Sequence, residues 1–225
     1  MITRPRETIS RGPFLLSVRY AHVLGTTGTF QHLCHIRALP GRVRMGEVTV
    51  IAELLEHRLI QSQRSDHAVR RQVEYRADCL LQHGAARVHA IDVGTNQLVW
   101  KLRQDPRVIV KEKFNARYMT PEDIGEQVDL IVSDVSFISL KKILPAAFPL
   151  LKKEGDALVL IKPQFELQPE DIGPGGIVRD PALHQRAVDS IRTFVTEELN
   201  RSWMGCEPSP ITGTDGNHEF LAWLK

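Results

Sequence analysis

From about Arg87 onwards, short apolar runs alternate with segments in which apolar residues recur at helical spacing. The runs of strand length are RVHAIDV, RVIVKE, VDLIVSD and DALVLIK, at residues 87–93, 107–112, 128–134 and 156–162. Helices are predicted at 96–104, 140–153 and 182–200, and Pro145 and Pro149 break or shorten the second of them. Nearly continuous apolar strands that alternate with helices are typical of a parallel sheet covered on both faces.

Two more strands are predicted late in the chain, near residues 201–206 and 218–224, without a clear helix between them. Strands joined in this way pair as an antiparallel hairpin. The pattern therefore predicts an α/β fold, a Rossmann-like sheet that is mostly parallel and has an antiparallel C-terminal edge strand.

The first third of the chain differs in composition. Residues 1–76 contain twelve arginines, no lysine and six acidic residues, whereas residues 77–225 contain eight arginines, nine lysines and twenty-one acidic residues. A helix is expected at 47–63, and no other sustained period is visible before residue 76. We therefore divide the chain into an atypical Arg-rich segment, 1–76, expected to be poorly ordered or foreign to the domain, and a domain at 77–225.

Composition excludes several classes of protein. Cys34, Cys79 and Cys206 are odd in number, far apart and without CxxC spacing, which indicates reduced cytosolic thiols, with no disulfide framework and no metal site. No apolar run approaches the eighteen residues that a membrane helix needs, so no membrane partner is expected. The net charge of +2 does not imply a purely electrostatic nucleic-acid binder.

Charged side chains stand where predicted parallel strands end. Asp92, Asp134 and Lys162 each lie at the carboxyl end of such a strand. Ligands of open α/β sheets bind beyond the carboxyl ends of the strands. Each residue alone also suits an ordinary strand end, but together they predict a polar crevice at this edge.

Residues 78–225 also resemble the TlyA family, also called haemolysin A, whose core is an FtsJ-like RNA methyltransferase domain. The matching words, in unbroken order, are DCLLQHGA, AIDVGTNQLVWKLRQDPRV, NARYMTPEDI, DLIVSDVSFISLKKILPA, LIKPQFE, GPGGIVRDPALH and SPITGTDGNHEFLAWL. The resemblance implies a cytoplasmic enzyme with a Rossmann-like methyltransferase sheet. It also implies methyl transfer from S-adenosylmethionine to a ribose 2′-hydroxyl of ribosomal RNA, free or in ribosomal subunits. The oligomeric state and the modified nucleotide are left open by these motifs.

FtsJ-like enzymes use a Lys-Asp-Lys-Glu tetrad, and the resemblance implies that Asp134, Lys162 and Glu219 are its last three members. A ribose hydroxyl is a poor nucleophile at neutral pH, so such a site must align the reacting atoms and help the proton to leave. Lys162 could act as a base in its neutral form or as an electrostatic guide in its charged form. Both roles stay open at this point.

The resemblance also implies a cofactor site at Asp92, Asn115 and Asp134. The carboxylate of Asp92 suits the vicinal hydroxyls of the cofactor ribose, because it can accept two hydrogen bonds. Asn115 is expected near the adenine, although a loop asparagine equally suits a turn. Arg179, in the segment GPGGIVRD, is expected to meet a phosphate of the substrate, the alternative being a mobile surface loop.

Two features of the family are not evident. Leu15 aligns with the first lysine of the tetrad, and no glycine lies between Arg70 and Cys79, where a glycine-rich cofactor loop is expected. The segment HVLGTTGTF, at 22–30, resembles that loop only weakly and lies too early. These departures suggest that residues 1–76 are a rearranged or frameshifted segment, and that activity is impaired.

Three alternatives follow from these departures and from the family's name. The chain could be a non-catalytic RNA-binding remnant, which cofactor binding would distinguish from an enzyme. A haemolysin-type membrane-active protein would need an amphipathic or apolar membrane segment, and none is found. A dinucleotide-dependent dehydrogenase could use Asp92, but no GxGxxG precedes it.

Overall fold

The computed structural model describes residues 21–23, 31–33, 47–51, 76–96, 98–209, 212–213 and 216–225. These residues form a sheet of seven strands and a separate pair of strands. The pair consists of β1 (Ala21–Val23) and β2 (Gln31–Leu33), which are antiparallel. Among the described residues, no helix has the length and apolar character needed to cross a bilayer.

The large sheet has the strand order β5-β4-β3-β6-β7-β9-β8. Its strands are β3 (Glu47–Ile51), β4 (Arg87–Ile91), β5 (Val108–Lys111), β6 (Val128–Ser133), β7 (Leu151–Ile161), β8 (Trp203–Pro208) and β9 (Phe220–Leu224). The five strands from β5 to β7 are parallel, and β9 is antiparallel to both β7 and β8. The α/β class and the mostly parallel sheet are therefore confirmed.

The last strand of the chain does not lie at the edge. β9 is inserted between β7 and β8, so the antiparallel edge strand is β8, the penultimate strand in sequence. The expected hairpin forms, but its second strand docks on the parallel sheet. A strand that pairs on both sides satisfies its backbone groups without water, which suits the more apolar sequence of β9.

The sheet also includes five residues from the Arg-rich segment. β3 pairs in parallel with β4 on one side and with β6 on the other, for example through Val48 opposite Val88 and Leu130. The expected helix at 47–63 is therefore wrong over Glu47–Ile51. The sequence EVTVI is rich in β-branched residues and short enough for either structure, and pairing on both sides decides for the strand. Residues 52–63 lie outside the described part of the chain.

Helices cover the sheet between its strands. They are α1 (described over 76–82), α2 (Trp100–Arg103), α3 (Pro121–Ile124), α4 (Leu144–Ala147), α5 (Pro163–Glu166) and α6 (Pro181–Thr193). The last of these continues as a π-helical turn, Phe194–Glu198, so that the two together cover nearly all of the helix predicted at 182–200. Short 3-10 turns occur at Ala116–Tyr118, Leu140–Lys142, Phe148–Leu150, Pro169–Asp171 and Pro174–Gly176.

Two predicted helices are shorter than expected. Among the described residues of the segment 96–104, the helix covers Trp100–Arg103, and Asn96 has a left-handed φ of 57°. The segment 140–153 divides into α4 and two 3-10 turns, with Pro145 and Pro149 in the first turn of their helices. Its last three residues belong to β7, because Leu151 pairs with Val128 of the neighbouring strand.

The core lies on both faces of the sheet. On one face, residues such as Ile131, Val159 and Ile161 pack with apolar side chains of α4 and α6. On the other face, Leu130 and Leu158 pack with the apolar side chains of α1 and α2. Successive residues of β6 and β7 thus point to opposite layers, and the carboxyl ends of both strands are held between two packed faces.

The contact between β6 and β7 requires a glycine. A Cβ atom at Gly155 would lie 3.0 Å from the carbonyl oxygen of Lys152 and 3.2 Å from that of Asp129. Because backbone cannot move aside easily, we expect Gly155→Ala to lower the free energy of unfolding by about 1–3 kcal/mol in urea denaturation. Gly205→Ala, in open space on β8, is the matched control and should change it by less than about 0.5 kcal/mol. Equal effects of the two substitutions would contradict this account.

Candidate functional site

Three candidate residues meet at the carboxyl edge of the sheet. Asp134 follows β6, Lys162 follows β7, and Glu219 immediately precedes β9. Parallel strands end at one edge, and an antiparallel strand begins there, so the topology brings the three side chains together. All three are buried. The predicted convergence is therefore observed.

Lys162 is at the centre of this cluster. Its Nζ lies 2.7 Å from Oδ1 of Asp134 and 3.9 Å from Oε1 of Glu219, and it donates a hydrogen bond of 2.8 Å to Oγ of Ser136. Lys162 directly follows the buried end of β7, and its charge is compensated locally. Two carboxylates and a hydroxyl surround the ammonium group and compensate for the water that it loses.

A second cation, which the sequence did not indicate, reaches the same carboxylate. Arg76, in α1, forms an ion pair with Oδ2 of Asp134 through Nη2. Both oxygens of Asp134 thus face cations. No motif points to Arg76, because the contact joins residues far apart in the chain, and only the packing of α1 on the sheet brings them together.

The two carboxyls respond differently to this environment. Burial acts to raise the pKa of Asp134, but the adjacent charges of Arg76 and Lys162 outweigh burial and hold that pKa below its usual value. Burial also raises the pKa of Glu219, and there the more distant Lys162 does not reverse the effect. The cluster therefore contains one firmly ionised carboxylate and one carboxyl whose proton is held more tightly than usual.

The candidate cofactor residues lie at the ends of β4 and β5. Asp92 is 2% exposed, and its Oδ1 accepts a hydrogen bond of 2.7 Å from the backbone N–H of Gly94. Its carbonyl oxygen accepts from the N–H of Phe114, which places Asn115 close by in sequence and space. The side chain of Asn115 accepts from the N–H of Arg117 and caps a 3-10 turn. Asn115 therefore forms a turn, which was the alternative to a place near the adenine. The turn lies at the edge of the sheet where the cofactor is expected.

The segment with Arg179 is anchored next to Glu219. Asn217 is buried, its Oδ1 accepts from the N–H of Val178 at 2.9 Å, and its Nδ2 donates to the carbonyl of Gly176 at 3.0 Å. The segment is thus held in place by side-chain bonds, and Arg179 itself is exposed. Asn217 was not a candidate, although its position two residues before Glu219 could have suggested it.

Two expectations concern residues that the structure does not describe. Leu15, which aligns with the first lysine of the tetrad, lies outside the described ranges, and so does most of the segment 22–30. The position of β3 nevertheless shows where the glycine-rich cofactor loop is expected, namely directly after this strand. Residues 52–75 contain no glycine.

The ion cluster predicts a pH-dependent cost of removing Lys162. Lys162→Met removes a cation that lowers the pKa of Glu219, so that this pKa rises further above its ordinary value of 4.5. A carboxyl with a raised pKa in the folded state destabilises the fold progressively as pH rises past its unfolded value. We expect a loss of about 3–5 kcal/mol at pH 8 and a smaller loss at pH 5, measured by urea denaturation.

Lys153→Met is the matched control, because Lys153 is an exposed lysine on the same strand. It should leave the free energy of unfolding within about 0.5 kcal/mol of the parent at both pH values. A loss for Lys162→Met that is the same at pH 5 and pH 8 would rule out the electrostatic explanation.

Comparison with known proteins identifies the family. The sequence profile of the FtsJ-like methyltransferase family matches residues 77–225. The 16S/23S rRNA (cytidine-2′-O)-methyltransferase TlyA of Mycobacterium tuberculosis is 47% identical over 148 residues, covering 66% of this chain and 55% of that protein. Hemolysin A of Brachyspira hyodysenteriae is 46% identical over 150 residues, covering 64% of this chain and 60% of that protein. The chain thus spans little more than half the length of these relatives.

Solved structures agree with the sequence comparison. A Streptococcus thermophilus protein described as a hemolysin superposes with a TM-score of 0.68 at 40% identity, covering 79% of this chain and 58% of that one. A Lactococcus lactis protein described in the same way gives 0.67 at 38%, covering 80% and 76%. The profile match spans most of the sheet and every residue of the cluster except Arg76, and on this basis the chain belongs to the FtsJ-like methyltransferase family.

Proposed function

We propose that the chain transfers a methyl group from S-adenosylmethionine to a ribose 2′-hydroxyl of ribosomal RNA. The observation that carries the proposal is the buried cluster of Asp134, Lys162 and Glu219, which lies at the ligand-binding edge of a methyltransferase sheet. Relatives named as rRNA methyltransferases support the choice of RNA as substrate.

The residues at the end of β4 fit the cofactor. A carboxylate has about four acceptor sites, so Asp92, which accepts a hydrogen bond from Gly94, is of the right chemistry to accept also from the two hydroxyls of a ribose. We assign Asn115, one residue beyond Phe114, to the adenine end of the cofactor and Asp134 to the end that carries the transferred methyl group. When bound, S-adenosylmethionine supplies a methyl group that the positive charge of its sulfonium activates.

Lys162 is suited to hold the attacking hydroxyl. An ammonium group has three N–H donors, and among the described residues its near partners are Asp134, in an ion pair, and Ser136, in a hydrogen bond. Glu219 lies beyond hydrogen-bond distance, which leaves one donor for a ribose oxygen. We assign Lys162 the role of a charged group that orients the hydroxyl, since the nearby carboxylates of Asp134 and Glu219 favour its ammonium form. Glu219, whose pKa is raised by burial, is the group better suited to take up a proton.

The RNA is expected to approach over the anchored segment at 173–180. Arg179 is exposed there, and its guanidinium can bind a backbone phosphate in bidentate fashion. The partner would be ribosomal RNA, either free or within a ribosomal subunit. Phosphate contacts of this kind position a substrate without reading its sequence.

A second candidate function has one observation in its favour. The connection from β3 to α1 contains no glycine at residues 52–75, so backbone N–H groups have fewer ways to approach the methionine part of the cofactor. A chain that binds RNA without catalysis would follow from a lost cofactor site. Binding of radiolabelled S-adenosylmethionine to the purified chain separates the two functions, since only the enzyme needs the cofactor.

Substitution of Lys162 and Asp92 should affect different steps. Lys162→Ala should abolish methyl transfer to unmodified ribosomal subunits while the Kd for S-adenosylmethionine stays within about twofold, because the lysine acts in the transition state. Asp92→Ala should raise that Kd about tenfold, since the ribose hydroxyls lose a charged acceptor.

Lys153→Ala, an exposed lysine of β7, is the control and should leave turnover and binding unchanged. We expect slow turnover by the parent chain, because the first lysine and the glycine loop are not evident. Rapid turnover would show that residues 1–76 complete the site, and no transfer to any ribosomal RNA, even with the cofactor bound, would refute the proposed function.

Gly213 should be required next to Glu219. A Cβ atom at position 213 would lie 2.8 Å from Oε1 of Glu219. Because the obstructed group is the end of a side chain, Gly213→Ala should displace the carboxyl and leave the fold intact. We expect kcat to fall about tenfold or more, with a change in unfolding free energy below about 0.5 kcal/mol. The control is again Gly205→Ala. Equal kcat values for the two variants would show that Glu219 takes no part in the reaction.

A further inference from the structure

A half-buried carboxylate outside the ion cluster joins two of the segments that build the site. Glu166 is the last residue of α5, one turn after Lys162. Its Oε2 accepts a hydrogen bond of 2.5 Å from Oγ of Ser139, and its Oε1 accepts one of 2.8 Å from the N–H of Leu140. Both donors belong to the segment that follows β6. In the sequence, the whole of β7 lies between that segment and Glu166.

That segment, residues 134–140, carries the groups that surround Lys162. Asp134 and Ser136 contact Nζ at one end of the segment, and Ser139 and Leu140 contact Glu166 at the other. The two segments are therefore connected at two places. A segment attached at both ends can hold its side chains in one position, which a single ion pair cannot ensure.

The middle of the segment has an unfavourable backbone conformation. Phe137 has a φ of 62°, in the left-handed region that side chains other than glycine rarely adopt, and its ring lies 5.1 Å from that of Phe165. Such a conformation costs about 1–3 kcal/mol and persists only where neighbouring contacts impose it. The bonds to Glu166 follow Phe137 directly, and those to Lys162 precede it.

We propose that Glu166 is a positioning residue, which holds the segment of Asp134 and Ser136 against Lys162 through its bonds to Ser139 and Leu140. It does not touch the reacting groups. It acts by limiting where the cation and its partners can move. This role rests on the proposed methyl transfer for its effect on rate, while the attachment itself can be tested without activity.

The chemistry of the carboxyl agrees with this role. Burial raises the pKa of Glu166 to about 7, although the bonds from Ser139 and Leu140 and the charge of Lys141 act in the opposite direction. Ionised, the carboxylate accepts both bonds. Protonated, one of its oxygens accepts less well, but burial favours this form, so the pKa lies above its ordinary value. Because the pKa is higher in the attached state than in water, the attachment should weaken as pH rises through about 7.

The experiment compares Glu166→Ala, Glu166→Gln and Ser139→Ala with Glu170→Ala, an exposed glutamate of the same region. Glu166→Ala should speed hydrogen exchange at residues 134–140 and lower kcat about 10- to 100-fold, with the Kd for S-adenosylmethionine within about twofold. Glu166→Gln keeps an acceptor for Leu140 and should restore much of kcat. It should also remove the fall of kcat with rising pH near 7 that we expect of the parent, because glutamine does not ionise. Glu170→Ala should match the parent in every measurement.

Unchanged exchange at residues 134–140 in Glu166→Ala would overturn the proposal, and so would faster exchange with unchanged kcat. If Glu166→Ala fails to fold, Ser139→Ala takes its place, because it removes one of the two bonds to Glu166 and keeps the other. It should speed exchange at residues 134–140 and lower kcat, and Glu166→Gln should do so less. If the parent chain transfers no methyl group, the proposed function fails by itself. The attachment is then supported by faster exchange at residues 134–140 alone and refuted by its absence.

Discussion

The buried ammonium of Lys162 imposes the strictest requirement on the rest of the structure. A charge removed from water is tolerated only where partners of opposite charge and hydrogen bonds lie within a few ångströms. Asp134, Ser136 and Glu219 provide these partners, and they come from two distant places in the sequence, the end of β6 and the start of β9. The register of β6, β7 and β9 must therefore be correct to within one residue, since a slip of one residue turns each side chain to the opposite face.

Much of this arrangement could be predicted from the sequence. The alternation of apolar runs and helical segments after Arg87 predicted the parallel strands and their ends, and strand ends alone brought Asp134 and Lys162 to one edge. Glu219 became a candidate through the family resemblance, and its place at the same edge required in addition that β9 runs in the opposite direction. These predictions succeeded because they depend on local patterns and on one topological rule.

The remaining features depend on contacts between distant segments. Nothing near Arg76 indicates that α1 directs it to Asp134, and the roles of Glu166 and Asn217 follow from bonds that cross the sheet or join loops. The predicted helix at Glu47–Ile51 was wrong because five residues rich in Val and other apolar residues fit a helix or a strand by sequence alone. Pairing with β4 on one side and β6 on the other makes the segment a strand. Its central place in the sheet also means that the first 76 residues cannot be treated as a wholly separate part of the chain.

The insertion of β9 between β7 and β8 has a consequence for folding kinetics. β8 and β9 are close in sequence and can form a hairpin by local contacts, whereas the pairing of β9 with β7 closes a loop that includes all of α6. Non-local pairings of this kind form late, because the entropy of loop closure must be overcome first. The step that docks β9 on β7 is also the step that brings Glu219 to Lys162. Completion of the sheet therefore also completes the ion cluster, and a chain in which β9 has not paired with β7 has a lysine with only part of its counter-charge.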